Sequence, residues 1–250
     1  MNQLPPQHSE IAKARVAGFF WLVTFVTGGF AMYIGGRFLV NGDAAATAAK
    51  ILANESAFRI GVTGNLVSTL SYLVATILVY ELLKPVDRTL SLAAAAFSLL
   101  GCAVGALLAL VNFAPLALLK GSAYLGAFTS EQVQALALAS FSLGLRANDI
   151  GLVFFGMHIG LLGYLIVRSA MVPRVIGVLL IVGGVGYELQ SFASFLAAPF
   201  AKYLFPSILL PGFFAEFVLT VWLLVKGVNT VRATSTGASA PLGPLAPSLS

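Results

Sequence analysis

Charged side chains are scarce in this chain. Lys, Arg, Asp and Glu together make up 9% of its 250 residues, against about 25% in a soluble domain. What charge there is does not gather: no run of acidic or basic residues and no polar block is long enough to form a soluble core of its own. There is one cysteine, Cys102, set in an apolar stretch, which excludes an intramolecular disulfide and a Cys-x-x-Cys metal site and reads as a small buried hydrophobe. Histidine occurs twice, at His8 and His158, with no His-Glu-x-x-His or His-x-x-x-His spacing, so no metal or cofactor is expected. Gly-x-Ser-x-Gly and the phosphate-binding Gly-x-x-x-x-Gly-Lys-Ser/Thr loop are absent as well.

What is abundant is apolar surface. Hydrophobic residues are 59% of the chain and the mean hydropathy is +0.96, where a soluble domain holds about 45–50% apolar residues. A water-soluble fold has nowhere to hide that surface. The formal charge of +5 does not argue for nucleic acid, because the Lys and Arg stand singly between apolar runs, where they flank membrane segments.

Apolar runs long enough to cross a hydrocarbon core of about 30 Å fall near 16–36, 60–83, 90–119, 150–167, 175–196 and 208–225. They do not alternate polar and apolar as barrel strands do, and helices satisfy their own backbone where no water can. The fold class is therefore all-α: an integral membrane bundle of about six transmembrane helices spanning 14–229. It is preceded by a polar segment, 1–13, and followed by a tail, 230–250, rich in Ala, Ser, Pro and Gly and expected to be disordered. The run at 16–36 is too long for a signal-peptide core and ends without a small-residue cleavage site.

Basic residues set the orientation. With the N-terminus inside, Lys13, Arg15, Lys84, Arg88, Arg168, Arg174, Lys226 and Arg232 lie inside on short hairpins, while Arg37, Lys50, Arg59, Lys120, Arg146 and Lys202 are spread over longer outer connections. Positive density favours cytoplasmic termini. Two outer connections read as short amphipathic helices. One is capped by Asp43 before an alanine-rich stretch; the other has Thr129 and Gln132 at capping-box spacing ahead of Val133, Leu136 and Leu138. Glycines at 28, 29, 35, 36, 101, 105, 156, 160, 163, 177, 183, 184 and 186 offer close helix approach, and self-association through one such face is compatible with them. The hairpins around Lys84-Pro85 and Pro173-Arg174 look alike, with Tyr72 and Tyr164 upstream of each, but the charge rule alone produces that likeness.

Ionisable groups inside the membrane cost a few kcal/mol each and are the strongest functional pointers. His158, Glu188 and Glu216 fall within spans, and Asp149 falls at an entrance. Asn65, with Ser68, Thr69 and Ser71 beside it, and Asn112 and Gln190 add neutral polar groups. By depth these residues project to one outward-open cluster. In it the two Glu bind protons, a cation or a polar solute, and His158 serves as their hydrogen-bond partner or relay. Three readings stay open: a structural hydrogen-bond knot, a site for a small polar or lipid-like molecule, and a membrane enzyme using His158 as general base.

Several stretches, 42–48, 82–86, 151–158, 163–165, 173–177 and 222–228, together resemble the bacterial membrane family catalogued as domain of unknown function 4386, over roughly Ala14 to Asn229. The resemblance implies a multi-pass protein of the bacterial inner membrane with membrane lipids around it. It brings no activity, so no site residue is carried over from it.

Overall fold

The structure, a computed structural model, describes residues 6–121, 123–169 and 171–229. Among the described residues, six helices are long and apolar enough to cross a membrane. In chain order the helices are α1 (Pro6–Phe38), α2 (Ala44–Ala53), α3 (Glu55–Leu83), α4 (Arg88–Leu119), α5 (Ser130–Ser169), α6 (Arg174–Leu196), α7 (Ala198–Leu204) and α8 (Leu210–Val225). Two 3₁₀ turns, Ala123–Ala127 and Ser207–Leu209, join them. The expected tail at 230–250 and residues 1–5 lie outside the described residues.

The spanning helices close into a ring. α1 packs on α3, α3 on α4, α4 on α5, α5 on α6, α6 on α8, and α8 back on α1. Both ends of the described chain emerge on one face, here the terminal face. Asn229 N donates to Met171 O in the α5–α6 hairpin at 2.9 Å, and Arg168 on that hairpin pairs with Asp87 on the α3–α4 hairpin at 3.5 Å. Asp87 also caps α4 by accepting from Leu90 N at 3.0 Å. α2 and α7 lie on the opposite, loop face. There Asp43 caps α2 by accepting from Ala46 N at 2.8 Å, and Ile51 of α2 packs with Phe38, Phe58 and Leu116 in a small apolar cluster of its own.

Three boundaries differ from the expectation. α1 starts at Pro6, ten residues before the apolar run, because Ser9 to Lys13 continue the helix into water, with Glu10 paired to Lys13 at 3.0 Å. The capping box at Thr129 and Gln132 forms, Thr129 N donating to Gln132 Oε1 at 2.9 Å and Gln132 N to Thr129 Oγ1 at 3.3 Å. The helix it starts is not a separate one: it runs unbroken for 40 residues to Ser169. Arg146, Asn148 and Asp149 interrupt the hydropathy there, but no proline interrupts the backbone. At a rise of about 1.5 Å per residue α5 is about 60 Å long, twice a hydrocarbon core, so its first turns stand out of the bilayer at the loop face. The third difference is α7, a short helix between α6 and α8 where the sequence suggested no element.

Glycines settle how tightly the ring closes, and not all of them do so. A Cβ added at Gly184 would lie 2.7 Å from Gly156 O, and one at Gly177 would lie 2.6 Å from Gly163 O, so α5 and α6 touch backbone to backbone. Gly18 of α1 faces Leu224 of α8 in the same way, at 2.9 Å from its backbone N. Gly29, Gly35 and Gly36, read from sequence as packing positions, have nothing within 4 Å of an added Cβ. Gly184→Ala is therefore expected to lower stability by about 1–3 kcal/mol through overpacking, whereas Gly35→Ala should not lower it. Thermal unfolding of the two purified variants in one detergent checks the contrast.

Candidate functional sites

Each of the six ring helices sends at least one side chain to the centre: Trp21 from α1, Tyr72 from α3, Cys102 from α4, His158 from α5, Tyr187 from α6 and Glu216 from α8, all buried. Glu216 is the polar centre. Its Oε2 accepts from the Tyr72 hydroxyl at 3.2 Å and its Oε1 from the Tyr187 hydroxyl at 3.0 Å. Counting along the helices, Tyr72, His158, Tyr187 and Glu216 stand 9 to 13 residues from the terminal-face ends of their helices, which is about 14–20 Å. That places them near the middle of a core about 30 Å thick.

Tyr72 is the hub. Its ring packs edge-on against Trp21, Phe155 and His158, with centroids 5.8, 5.0 and 5.8 Å away. His158 is 2% exposed; its Nδ1 is 2.8 Å from Ala94 O, while its Nε2 and the Trp21 Nε1 have no hydrogen-bond partner. Below His158 the hydroxyls of Thr76 and Ser98 bond each other at 2.6 Å. His158 and Glu216 are thus joined through one tyrosine and make no direct hydrogen bond. Sequence reasoning missed Tyr187 and treated Tyr72 only as part of a hairpin likeness, because a tyrosine in an apolar run reads as one more aromatic.

Glu188 does not join this centre. Tyr187 and Glu188 are consecutive, about 100° apart around α6, so the helix that turns Tyr187 inward turns Glu188 towards α5. There it sits in a groove of about 470 Å³ that opens on the membrane-facing side of the bundle. Met157, Tyr164, Val185, Leu189 and Phe192 wall the groove. Its floor exists because Gly184 lets α6 meet the α5 backbone and Gly156 and Gly160 add no side chains there: a Cβ added at Gly156 would lie 2.8 Å from Glu188 Oε1. That oxygen is buried and has no hydrogen-bond partner, an unfavourable state for a carboxylate with apolar walls around it.

A third group stands where the loop-face end of α6 meets the middle of α5. Ser194 Oγ donates to Asp149 Oδ2, and Arg146 Nη1 donates to Ser194 O and Oγ at 3.4 Å each. Gln190 lies beside them, 6% exposed. Of the remaining expected site residues, Asn112 lies half-buried against the α5 backbone at Gly144, and Asn65 is half-buried on α3, where its carbonyl accepts from Thr69 Oγ1 at 3.0 Å. The single outward-open cluster is therefore replaced by three separate places: a sealed centre, a lateral groove and a polar end. Projection by depth ignored the rotation of each residue about its helix. Among the described residues, no three of His, Cys, Asp and Glu gather as ligands to a metal ion would.

A family model described as "Domain of unknown function (DUF4386)" matches residues 16–227. An uncharacterized protein of Archaeoglobus fulgidus is 31% identical over 90 residues, 35% of this chain and 51% of that protein, so the chain spans about half the length of the curated relative it matches. No solved structure matches significantly.

The two tyrosine hydroxyls are the only protein donors to the Glu216 carboxyl among the described residues. Tyr72→Phe and Tyr187→Phe are each expected to cost about 1–3 kcal/mol, because each leaves a buried oxygen unsatisfied. The double variant should depart from additivity, since both bonds end on one carboxyl. Unfolding of the single and double variants in detergent measures both effects.

Proposed function

The chain belongs to the DUF4386 family, and since that family is described only as a domain of unknown function, we propose from the chain's own residues that it binds a small lipid-like molecule in the lateral groove between α5 and α6. One observation carries the reading: Glu188 Oε1 is buried without a partner at the floor of an otherwise apolar groove of about 470 Å³. Such a place suits an amphipathic molecule whose chain lies along Met157, Leu189 and Phe192 and whose amine or hydroxyl donates to Glu188. Entry is lateral, from the bilayer. The enzyme reading has less support: His158, its general base, is 2% exposed, and the groove is lined by Glu188 and not by the histidine.

We also propose that the protein resides in a bacterial inner membrane with both termini cytoplasmic. Lys13, Arg15, Lys84, Arg88, Arg168, Arg174 and Lys226 stand at the terminal-face ends of the helices, and the α3–α4 and α5–α6 hairpins there are short, which is where positive charge decides orientation. A green fluorescent protein fused after Asn229 should fluoresce in a bacterial host, and alkaline phosphatase fused at the same point should be inactive; the reverse pattern would invert the topology.

For the groove, a photoactivatable dodecylamine in nanodiscs holding the full chain should label peptides of α5 and α6. Glu188→Gln is expected to reduce labelling about tenfold, the loss of one charge-assisted hydrogen bond, while Gly35→Ala, on α1 and away from the groove, leaves it unchanged. Equal labelling of the Glu188→Gln protein would remove the carboxyl from the site and the reading with it.

A further inference from the structure

A second cavity, independent of the groove, lies at the loop face where α6 ends and α7 begins. Its volume is about 260 Å³, and Arg146, Gln190, Ser194, Ala201, Lys202 and Phe205 line it. Two cations come together there from distant parts of the chain, and neither Arg146 nor Lys202 forms an ion pair among the described residues. Arg146 reaches only the Ser194 carbonyl and hydroxyl, both at 3.4 Å, which leaves most of its five N–H donors uncommitted. The nearby Asp149 carboxylate is engaged by the Ser194 hydroxyl and does not line the cavity. Gln190 is 6% exposed and its Oε1 has no hydrogen-bond partner, so the inner end of the cavity offers a buried acceptor beneath two positive charges. Around the cavity Leu196, Phe200 and Tyr203 are exposed, Leu196 and Tyr203 at 84% and 85%, the composition of a surface at the edge of a bilayer.

We propose that this cavity binds a phosphate ester that carries a hydrogen-bond donor, the chemistry of a phospholipid headgroup: Arg146 and Lys202 hold the phosphate, and Gln190 Oε1 accepts from the headgroup's hydroxyl or ammonium. Guanidinium and ammonium on the two sides of a phosphate are the usual means of holding it. The acceptor favours a phosphodiester whose headgroup carries a donor over one whose headgroup has none, and the flanking aromatics place the ester's chains in the bilayer. Because this cavity is lined by neither Glu188 nor the walls of the lateral groove, the two readings fail separately.

The test uses the full chain in a non-ionic detergent, with native mass spectrometry reading bound dioctanoyl phosphatidylglycerol. Arg146→Gln and Lys202→Gln are each expected to weaken binding about tenfold, and the pair together to abolish it. Gln190→Leu should weaken phosphatidylglycerol but not dioctanoyl phosphatidylmethanol, a diester of the same charge whose methyl headgroup has no donor. Both cations are at the exposed rim, so these variants fold even where Gln190→Leu does not, and a melting curve of each confirms it. Displacement of the lipid by equimolar inorganic phosphate would uphold the phosphate chemistry and assign it to a soluble source. Undiminished binding by the double cation variant, or equal binding of dioctanoylglycerol, overturns the proposal.

Discussion

The Glu216 carboxyl held between the hydroxyls of Tyr72 and Tyr187 ties three of the six ring helices to one point. In hydrocarbon the apolar effect gives helices little reason to associate, since lipid tails are as apolar as leucine; packing and interhelical hydrogen bonds do that work. A carboxyl left without donors at the bundle centre would carry a desolvation penalty of several kcal/mol, so α3, α6 and α8 must keep the register that presents both hydroxyls. The Tyr72 ring extends the constraint to α1 through Trp21 and to α5 through Phe155 and His158. One polar group thereby fixes the rotation of five helices.

Small residues supply the complementary half of the packing. Where α5 meets α6, Gly163 faces Gly177 and Gly156 faces Gly184, and the helices approach to backbone contact. Where α6 meets α8, Gly183 faces Gly212. Between α1 and α3 the glycines alternate with larger partners: a Cβ added at Gly64 would lie 3.3 Å from Thr27 O, and one at Gly28 would lie 2.8 Å from Ser68 Oγ. Reciprocal hydroxyl bonds join α1 to α3, Thr24 Oγ1 to Ser68 O at 3.2 Å and Ser68 Oγ to Thr24 O at 3.1 Å, and aromatic edges from Phe25 to Phe213 and Phe217 join α1 to α8. Glycine contributes to closure on both sides of the ring, and around α1 it is joined by hydroxyls and aromatic rings.

The membrane class and the six spans were legible because both depend on long averages: a run of about 20 apolar residues has few alternatives to a spanning helix. The Asp43 cap and the Thr129–Gln132 box were legible because they are local, each decided within four residues. The continuity of α5 was not. Arg146 and Asp149 resemble a loop in hydropathy, yet charge at an interface does not break a helix; only the backbone decides, and it holds neither proline nor a positive-φ glycine between Ser130 and Ser169. The site was legible in its residue types and not in its grouping. Depth along a helix follows from counting, but the face a residue takes depends on which neighbour the helix packs against, a long-range fact absent from any short window.

Glu188 and Glu216 show what that missing information changes. Both are single carboxyls in apolar spans and read alike in sequence. Tyr187 separates them: once its hydroxyl is committed to Glu216 at the ring centre, the rotation of α6 is fixed, and the next residue must leave the centre by about 100°. The direction it takes leads to α5, where Gly156 lets the carboxyl lie against the neighbouring backbone. The same step that satisfies one carboxylate with two hydroxyls therefore places the other over a glycine floor, beside the membrane, with an oxygen unpaired. One Glu188 oxygen is thus left without a partner in the protein, and unlike the unpartnered His158 Nε2 and Trp21 Nε1 at the buried centre it belongs to a residue that lines an open groove, so it is the one a ligand from the bilayer can reach.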